Sequence, residues 1–208
     1  MNIIWTDGSS GKSGKMGWAA VGQLKHLSNP VRIYGHGTGT NQMAELVAVI
    51  EAIRLTPDKE ELLIITDSMY VIRSATDWRK TWESCGYVNW EGRPLSNKTL
   101  IMELHRQTDR VSVTFQHVKG HTGVEGNELA DALAHLARKI AEGRLDTGHL
   151  MEYNMVKSYG YEEKEDLIEN KERGSSKAED TSGSSREKSR GQEEIRQEER
   201  ERQGSEEG

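Results

Sequence analysis

The spacing of apolar and polar positions divides residues 1–145 into short strands and helices. Asn2-Ile3-Ile4-Trp5-Thr6-Asp7 reads as a strand that runs into a carboxylate, with Gly8-Ser9 as the exit turn. Met16–Leu24 and Val31–Gly37 read as two further strands, and their short connections suggest an antiparallel meander. Thr40-Asn41-Gln42 offers capping side chains for a helix that reaches Leu55 and stops at Thr56-Pro57. Met43, Leu46, Val47, Ile50 and Ile53 follow helical spacing, and the alanines between them predict burial on more than one side. Glu51 and Arg54 read as surface residues of that helix.

Leu62–Asp67 is a buried strand pattern that ends, like the first, in Thr-Asp followed by a small residue. Were the two strands parallel neighbours, Asp7 and Asp67 would stand side by side. A short helix is predicted over Met69–Ala75, and Trp78 and Trp82 would share a face if the chain stays helical. Residues 86–94 form an aromatic-rich loop. Asn97–Thr108 has a helical pattern, and Val111, Val113 and Phe115 alternate with polar residues as a fifth strand. After a glycine-punctuated loop (Gly120, Gly123, Gly126), a last helix from about Asn127 to Glu142 carries Leu129, Leu133, Leu136 and Ile140 on one stripe.

Composition sharpens the division. Residues 1–145 hold 17 Lys/Arg against 16 Asp/Glu, whereas residues 146–208 hold 11 against 18. The acidity of the chain, net −6, therefore belongs to the tail. Residues 146–170 keep some apolar content and read as a weakly ordered extension able to hold a helix. From Lys171 onward the chain is almost wholly Glu, Lys, Arg, Ser, Gly and Gln and is expected to be disordered, with no partner legible for it. The single cysteine, Cys85, excludes an intramolecular disulfide. No signal-like or membrane-spanning run is visible, so an intracellular protein, cytoplasmic or nuclear, with no membrane partner is expected.

Acidic residues recur where elements begin or end: Asp7, Glu45, Asp67 and Asp131. Four carboxylates gathered at one sheet edge repel unless cations neutralise them. An all-oxygen donor set suits Mg²⁺ or Mn²⁺, and two such ions per site suit in-line displacement at a phosphodiester. His121, on the glycine-rich loop, is a candidate proton carrier.

The segments Thr6-Asp7-Gly8-Ser9, Thr40-Asn41-Gln42-Met43-Ala44-Glu45, Thr66-Asp67-Ser68-Met69-Tyr70 and Val118-Lys119-Gly120-His121 with Asn127-Glu128 and Asp131 resemble type 1 ribonuclease H, with eukaryotic-like variants, in order and spacing. The resemblance covers about residues 1–142. It implies an α/β fold: a five-stranded mixed sheet, three antiparallel strands then two parallel to the first, with helices on both faces. It implies endonucleolytic cleavage of the RNA strand of an RNA/DNA hybrid by two Mg²⁺ ions, leaving 5′-phosphate and 3′-hydroxyl ends. Asp7, Glu45, Asp67 and Asp131 would be metal ligands, Glu45 would lie near the RNA 2′-hydroxyl, and His121 would assist proton transfer or product release. Gly8, Ser9, Asn41 and Gln42 would contact nucleic acid. Thr40 and Asn97 would hold a DNA phosphate, and Tyr70, Trp78 and Trp82 would line an aromatic DNA channel.

Departures from the family pattern bear on affinity. Thr38 stands where the phosphate pocket often has an arginine, and the stretch after Trp82 reads Glu83-Ser84-Cys85 where strong hybrid binders are lysine-rich. Fewer cations release fewer counterions, so weaker and less salt-dependent hybrid binding is expected. No hybrid-binding domain precedes the first strand, so processivity is not expected, and a monomer is. Two alternatives stand: another nuclease or strand transferase on the same sheet, or a non-catalytic nucleic-acid-binding module.

Overall fold

The computed structural model describes residues 1–145 and 157–161. Residues 1–79 with the described residues from 99 onward form one compact unit, and residues 80–98 form another. The tail expected to be disordered lies outside the described residues.

Five strands appear in the predicted order. They are β1 (Asn2–Ser10), β2 (Lys15–Gln23), β3 (Val31–Thr38), β4 (Glu61–Thr66) and β5 (Ser112–His117). The helices are α1 (Asn41–Arg54), α2 (Met69–Ala75), α3 (Arg79–Ser84), α4 (Lys98–Arg110) and α5 (Glu125–Ala141). A sixth strand, β6 (Lys157–Tyr161), pairs in parallel with β3, giving the order β5-β4-β1-β2-β3-β6. The helix allowed for residues 150–170 is thus replaced by strand at 157–161, and the rest of that span lies outside the described residues. The edge of β3 away from β2 supplies backbone partners to this segment.

β1–β2 and β2–β3 are antiparallel, while β4 pairs in parallel with β1 and with β5. Helices cover both faces, as the parity of the side chains shows. On β1 and β2, Ser9 and Gly17 meet α5: Ser9 Oγ accepts from Arg138, and a Cβ on Gly17 would overlap the α5 backbone at Ala134 and Arg138. Gly8, of opposite parity, meets α1 at Ala44 and Glu45.

The two helices seat differently. α1 is buried without a break from Ala44 to Ile53, as its all-round apolar pattern predicts. Glu51, expected at the surface, is 5% exposed and pairs with Arg54 at 2.5 Å, because α4 brings Glu103 against the same arginine at 2.6 Å. α5 buries Leu133 and three alanines, Ala130, Ala134 and Ala137, against Ala19, Val21 and Tyr34, with Leu129, Leu136 and Ile140 only partly buried beside them. The close approach at Gly17 leaves room for methyl groups along the contact line, and the partly buried leucines flank it.

The pair Trp78 and Trp82 does not share a helix. α2 ends at Ala75, the Trp78 amide donates to the Arg73 carbonyl, and the chain restarts as α3. In the second unit, residues 87–95 make a short hairpin, with the Asn89 amide donating to the Arg93 carbonyl and the Leu95 amide to that of Tyr87. Among the described residues no helix is long and apolar enough to cross a membrane.

Candidate active site

The parallel register of β1 and β4 sets the site. Asn2 to Trp5 stand opposite Leu62 to Ile65, so the same offset carried two residues further brings Asp7 beside Asp67. Asp7 is not at a strand end, however. β1 continues through Ser10, with Asp7 opposite Ala19 and Gly8 opposite Trp18. The ladder to β4 has stopped by then and the ladder to β2 has not, which leaves Asp7 open on the β4 side only. One of its oxygens accepts the Gly8 N–H at 2.7 Å.

Glu45 arrives from α1, whose start is fixed by Thr40 accepting the Met43 amide at 3.3 Å. Asn41 ties this end to the sheet: its Oδ1 accepts the Ser10 amide at 3.1 Å, and its Nδ2 donates to Glu45 Oε1 at 3.5 Å. Oxygens of Asp7, Glu45 and Asp67 all lie within 4.8 Å of one another. Asp7 and Glu45 are buried, Asp67 half-buried. Glu45 Oε2 is buried with no hydrogen-bond partner among the described residues.

Asp131 comes from the second turn of α5, and its charge bears on the Asp7 carboxyl. Two histidines flank it, His135 with Nδ1 3.0 Å from Oδ1 and His121 with Nδ1 3.9 Å from Oδ2. His121 is exposed and held at φ 55°, in the left-handed region. Its loop presses on the site through Gly120, where a Cβ would stand 2.5 Å from Asp67 Oδ2.

The electrostatics follow from the crowding. Burial first, then the charge of Asp67, and also Asp131, push the Asp7 carboxyl up to about 8, against the opposing help of the Gly8 N–H. Burial and the charges of Asp7, Asp67 and Asp131 hold Glu45 well above the usual carboxylate range. Such a set retains protons unless a cation replaces them.

The remaining residues singled out in the sequence are placed as follows. Thr40, Asn41 and Gln42 are exposed at the start of α1. Gly8 and Ser9 are buried, and the Ser9 hydroxyl accepts Arg138 Nε at 3.0 Å. Tyr70 and Trp78 are half-buried, edge to face with centroids 6.2 Å apart. In the second unit Trp82 is buried, and Asn97 takes a positive φ of 61° just before α4. The Asp131–His135 pair follows from i+4 spacing on one helix, whereas the packing duties of Gly8 and Gly120 show only in three dimensions.

The sequence profile of the RNase H family matches residues 1–139. The chain belongs to the RNase H family. Among its relatives, the ribonuclease H of Hyphomonas neptunium is 36% identical over 143 residues, 68% of this chain and 94% of that protein. The ribonuclease HI of Pseudomonas aeruginosa is 37% identical over 141 residues, 67% of this chain and 93% of that one. Among solved structures, the fold is similar to LC9-RNase H1, described as a type 1 RNase H with the type 2 active-site motif. The likeness has a TM-score of 0.55 at 25% identity and covers 70% of this chain and 74% of the other. Membership makes the chain a ribonuclease, an endonuclease-type hydrolase, and sets aside the non-catalytic alternative. The family acts on the RNA strand of RNA/DNA hybrids and uses divalent metal ions.

Proposed function

We propose that this chain cuts the RNA strand of RNA/DNA hybrids at a divalent-cation site made by Asp7, Glu45, Asp67 and Asp131. The observation that carries the reading is the convergence of Asp7, Glu45 and Asp67 oxygens within 4.8 Å. The donor set fits Mg²⁺, with Mn²⁺ as a substitute: all ligands are oxygens, and the buried, unpartnered Glu45 Oε2 is an acceptor that a cation completes. These four carboxylates would hold two ions, which would supply activation of the attacking water and stabilisation of the leaving oxygen, with 5′-phosphate and 3′-hydroxyl ends as products.

The chain's own groups do the rest. The Gly8 N–H fixes the rotamer of Asp7, and Asn41 fixes Glu45. Glu45 reads the 2′-hydroxyl that distinguishes RNA from DNA. His121, exposed beside Asp131, passes a proton to the departing 3′-oxygen. Thr40, Asn41 and Gln42 offer donors at a helix start, where backbone N–H groups favour phosphate. Tyr70 and Trp78 offer ring surface to the DNA strand, and Asn97 offers its amide to a DNA phosphate; Trp82, 5% exposed, has little ring surface to offer.

The test is a labelled RNA/DNA hybrid incubated with the full chain in Mg²⁺, in Mn²⁺ and in EDTA. Single-stranded RNA and duplex RNA run alongside, with Asp67→Asn as control. Metal-dependent cutting of the hybrid alone, lost in Asp67→Asn, is the expected result. A folded protein that cuts nothing in either metal overturns the reading.

A further inference from the structure

The folded part of the chain is nearly neutral, and the stretch after Trp82 is short of cations. A hybrid nonetheless presents a phosphate every few ångströms, and affinity for it comes mainly from cations that displace counterions. The structure supplies a guanidinium elsewhere. Arg73, in the last turn of α2, lies over the Trp78 ring with Cζ 5.9 Å from the centroid, and Tyr70 meets the same ring edge-on at 6.2 Å.

We propose that Arg73 contacts a backbone phosphate of the DNA strand, with Trp78 as its platform. This rests on the hybrid reading above. Three observations support it. The break between α2 and α3 turns Trp78 back, its amide donating to the Arg73 carbonyl, so ring and guanidinium are held together by main chain. A guanidinium over an aromatic face keeps its N–H edges in its own plane, where they match phosphate oxygens in a fork, and it loses little freedom on binding. α2 begins two residues after Asp67, its Ser68 cap accepting the Val71 amide. At 1.5 Å per helical residue, Arg73 stands roughly 6 Å along α2 from Met69, on the helix that leads directly away from Asp67. A charge placed on an aromatic surface thus takes over part of what a lysine-rich loop would otherwise do.

The test measures hybrid affinity of the full chain in EDTA, where nothing is cut, across about 50–200 mM salt. Wild type, Arg73→Gln and Arg73→Lys are compared, each first shown to melt cooperatively. Arg73→Gln is expected to weaken binding by about three- to tenfold at the lowest salt and to flatten the slope of log affinity against log salt by close to one phosphate's worth, about 0.7–0.9. Arg73→Lys keeps the slope while losing part of the affinity. An unchanged slope in Arg73→Gln overturns the proposal even if affinity falls, because a residue that only braces Trp78 removes contact without removing a released counterion. Wild type that shows no affinity for the hybrid at any salt overturns the hybrid reading itself, and this proposal with it.

Discussion

Gly8 and Glu45 meet backbone to backbone. A Cβ on Gly8 would overlap the Glu45 amide nitrogen and stand 2.7 Å from the Ala44 carbonyl carbon. The hydrogen atom of Gly8 therefore sets how close α1 comes to β1, and so how close Glu45 comes to Asp7. Gly8→Ala is expected to cost about 1–3 kcal/mol of stability through overpacking. Its loss of activity should exceed what the stability loss accounts for, since α1 carries a ligand with it. Denaturant melts and hybrid cleavage of the same preparation check both parts.

Without cations the site works against the fold. The Asp7 carboxyl stands at about 8 against an ordinary 3.8, so between those values the folded chain binds more protons than the unfolded one. Stability contributed by Asp7 is then full at low pH and is lost as pH rises toward 8, and Glu45 acts in the same sense. Glu103 runs the other way: its Arg106 hydrogen bond lowers it to about 2, and its contribution is lost only as pH falls toward that value. Melting temperature in EDTA is expected to fall by several degrees between about pH 5 and about pH 8. Added Mg²⁺ should remove most of that fall. A flat EDTA profile would contradict the crowding.

Asp7→Asn separates stability from activity. It replaces a buried carboxyl that must hold a proton to stay neutral with an amide that is neutral already, so the variant should be more stable than wild type in EDTA at neutral pH, by about 1–2 kcal/mol. Mg²⁺ should no longer raise its melting temperature, and cleavage should fall by more than about a hundredfold. Thermal melts with and without Mg²⁺, beside a cleavage assay, read all three.

His121 is exposed, with its Nδ1 3.9 Å from Asp131. His121→Ala is expected to slow cleavage by about ten- to a hundredfold while leaving the Mg²⁺-induced rise in melting temperature intact. Loss of that rise would instead make the histidine part of the cation site.

Arg138 braces the far end of α5. It donates to Ser9 at 3.0 Å and to Glu142 at 2.9 Å, Glu142 also accepts Ser13, and the arginine side chain is only 14% exposed. Arg138→Met keeps the packing stem and removes the donors, leaving Glu142 short of its main partner. A loss of about 1–3 kcal/mol is expected in chemical denaturation.

Much of this was legible because it rests on local pattern. The repeated Thr-Asp endings at residues 6–7 and 66–67 lie 60 apart, and the register of β1 on β4 keeps that offset. What escaped depends on partners distant in sequence. Glu51 is polar and sits on a helix, yet α4 closes over it with Glu103 against the same arginine. Asp7 reads as the last residue of a strand because Gly8-Ser9 resembles a turn, but β2 extends the ladder past it. Leu133 of the predicted apolar stripe of α5 is fully buried, while the glycine on β2 gives the positions around it to alanines. β6 borrows its strand character from the edge of β3.

The two central carboxylates are brought together by strand pairing and by no turn between them. Chain length between Asp7 and Asp67 is therefore a free variable wherever it runs through solvent, as at residues 25–30, which are all exposed. A peptide tag spliced into that connection, or a chain cut there and rejoined end to end elsewhere, would leave the spacing of the carboxylates untouched. A single residue inserted within β4 would turn Asp67 to the other face of the sheet.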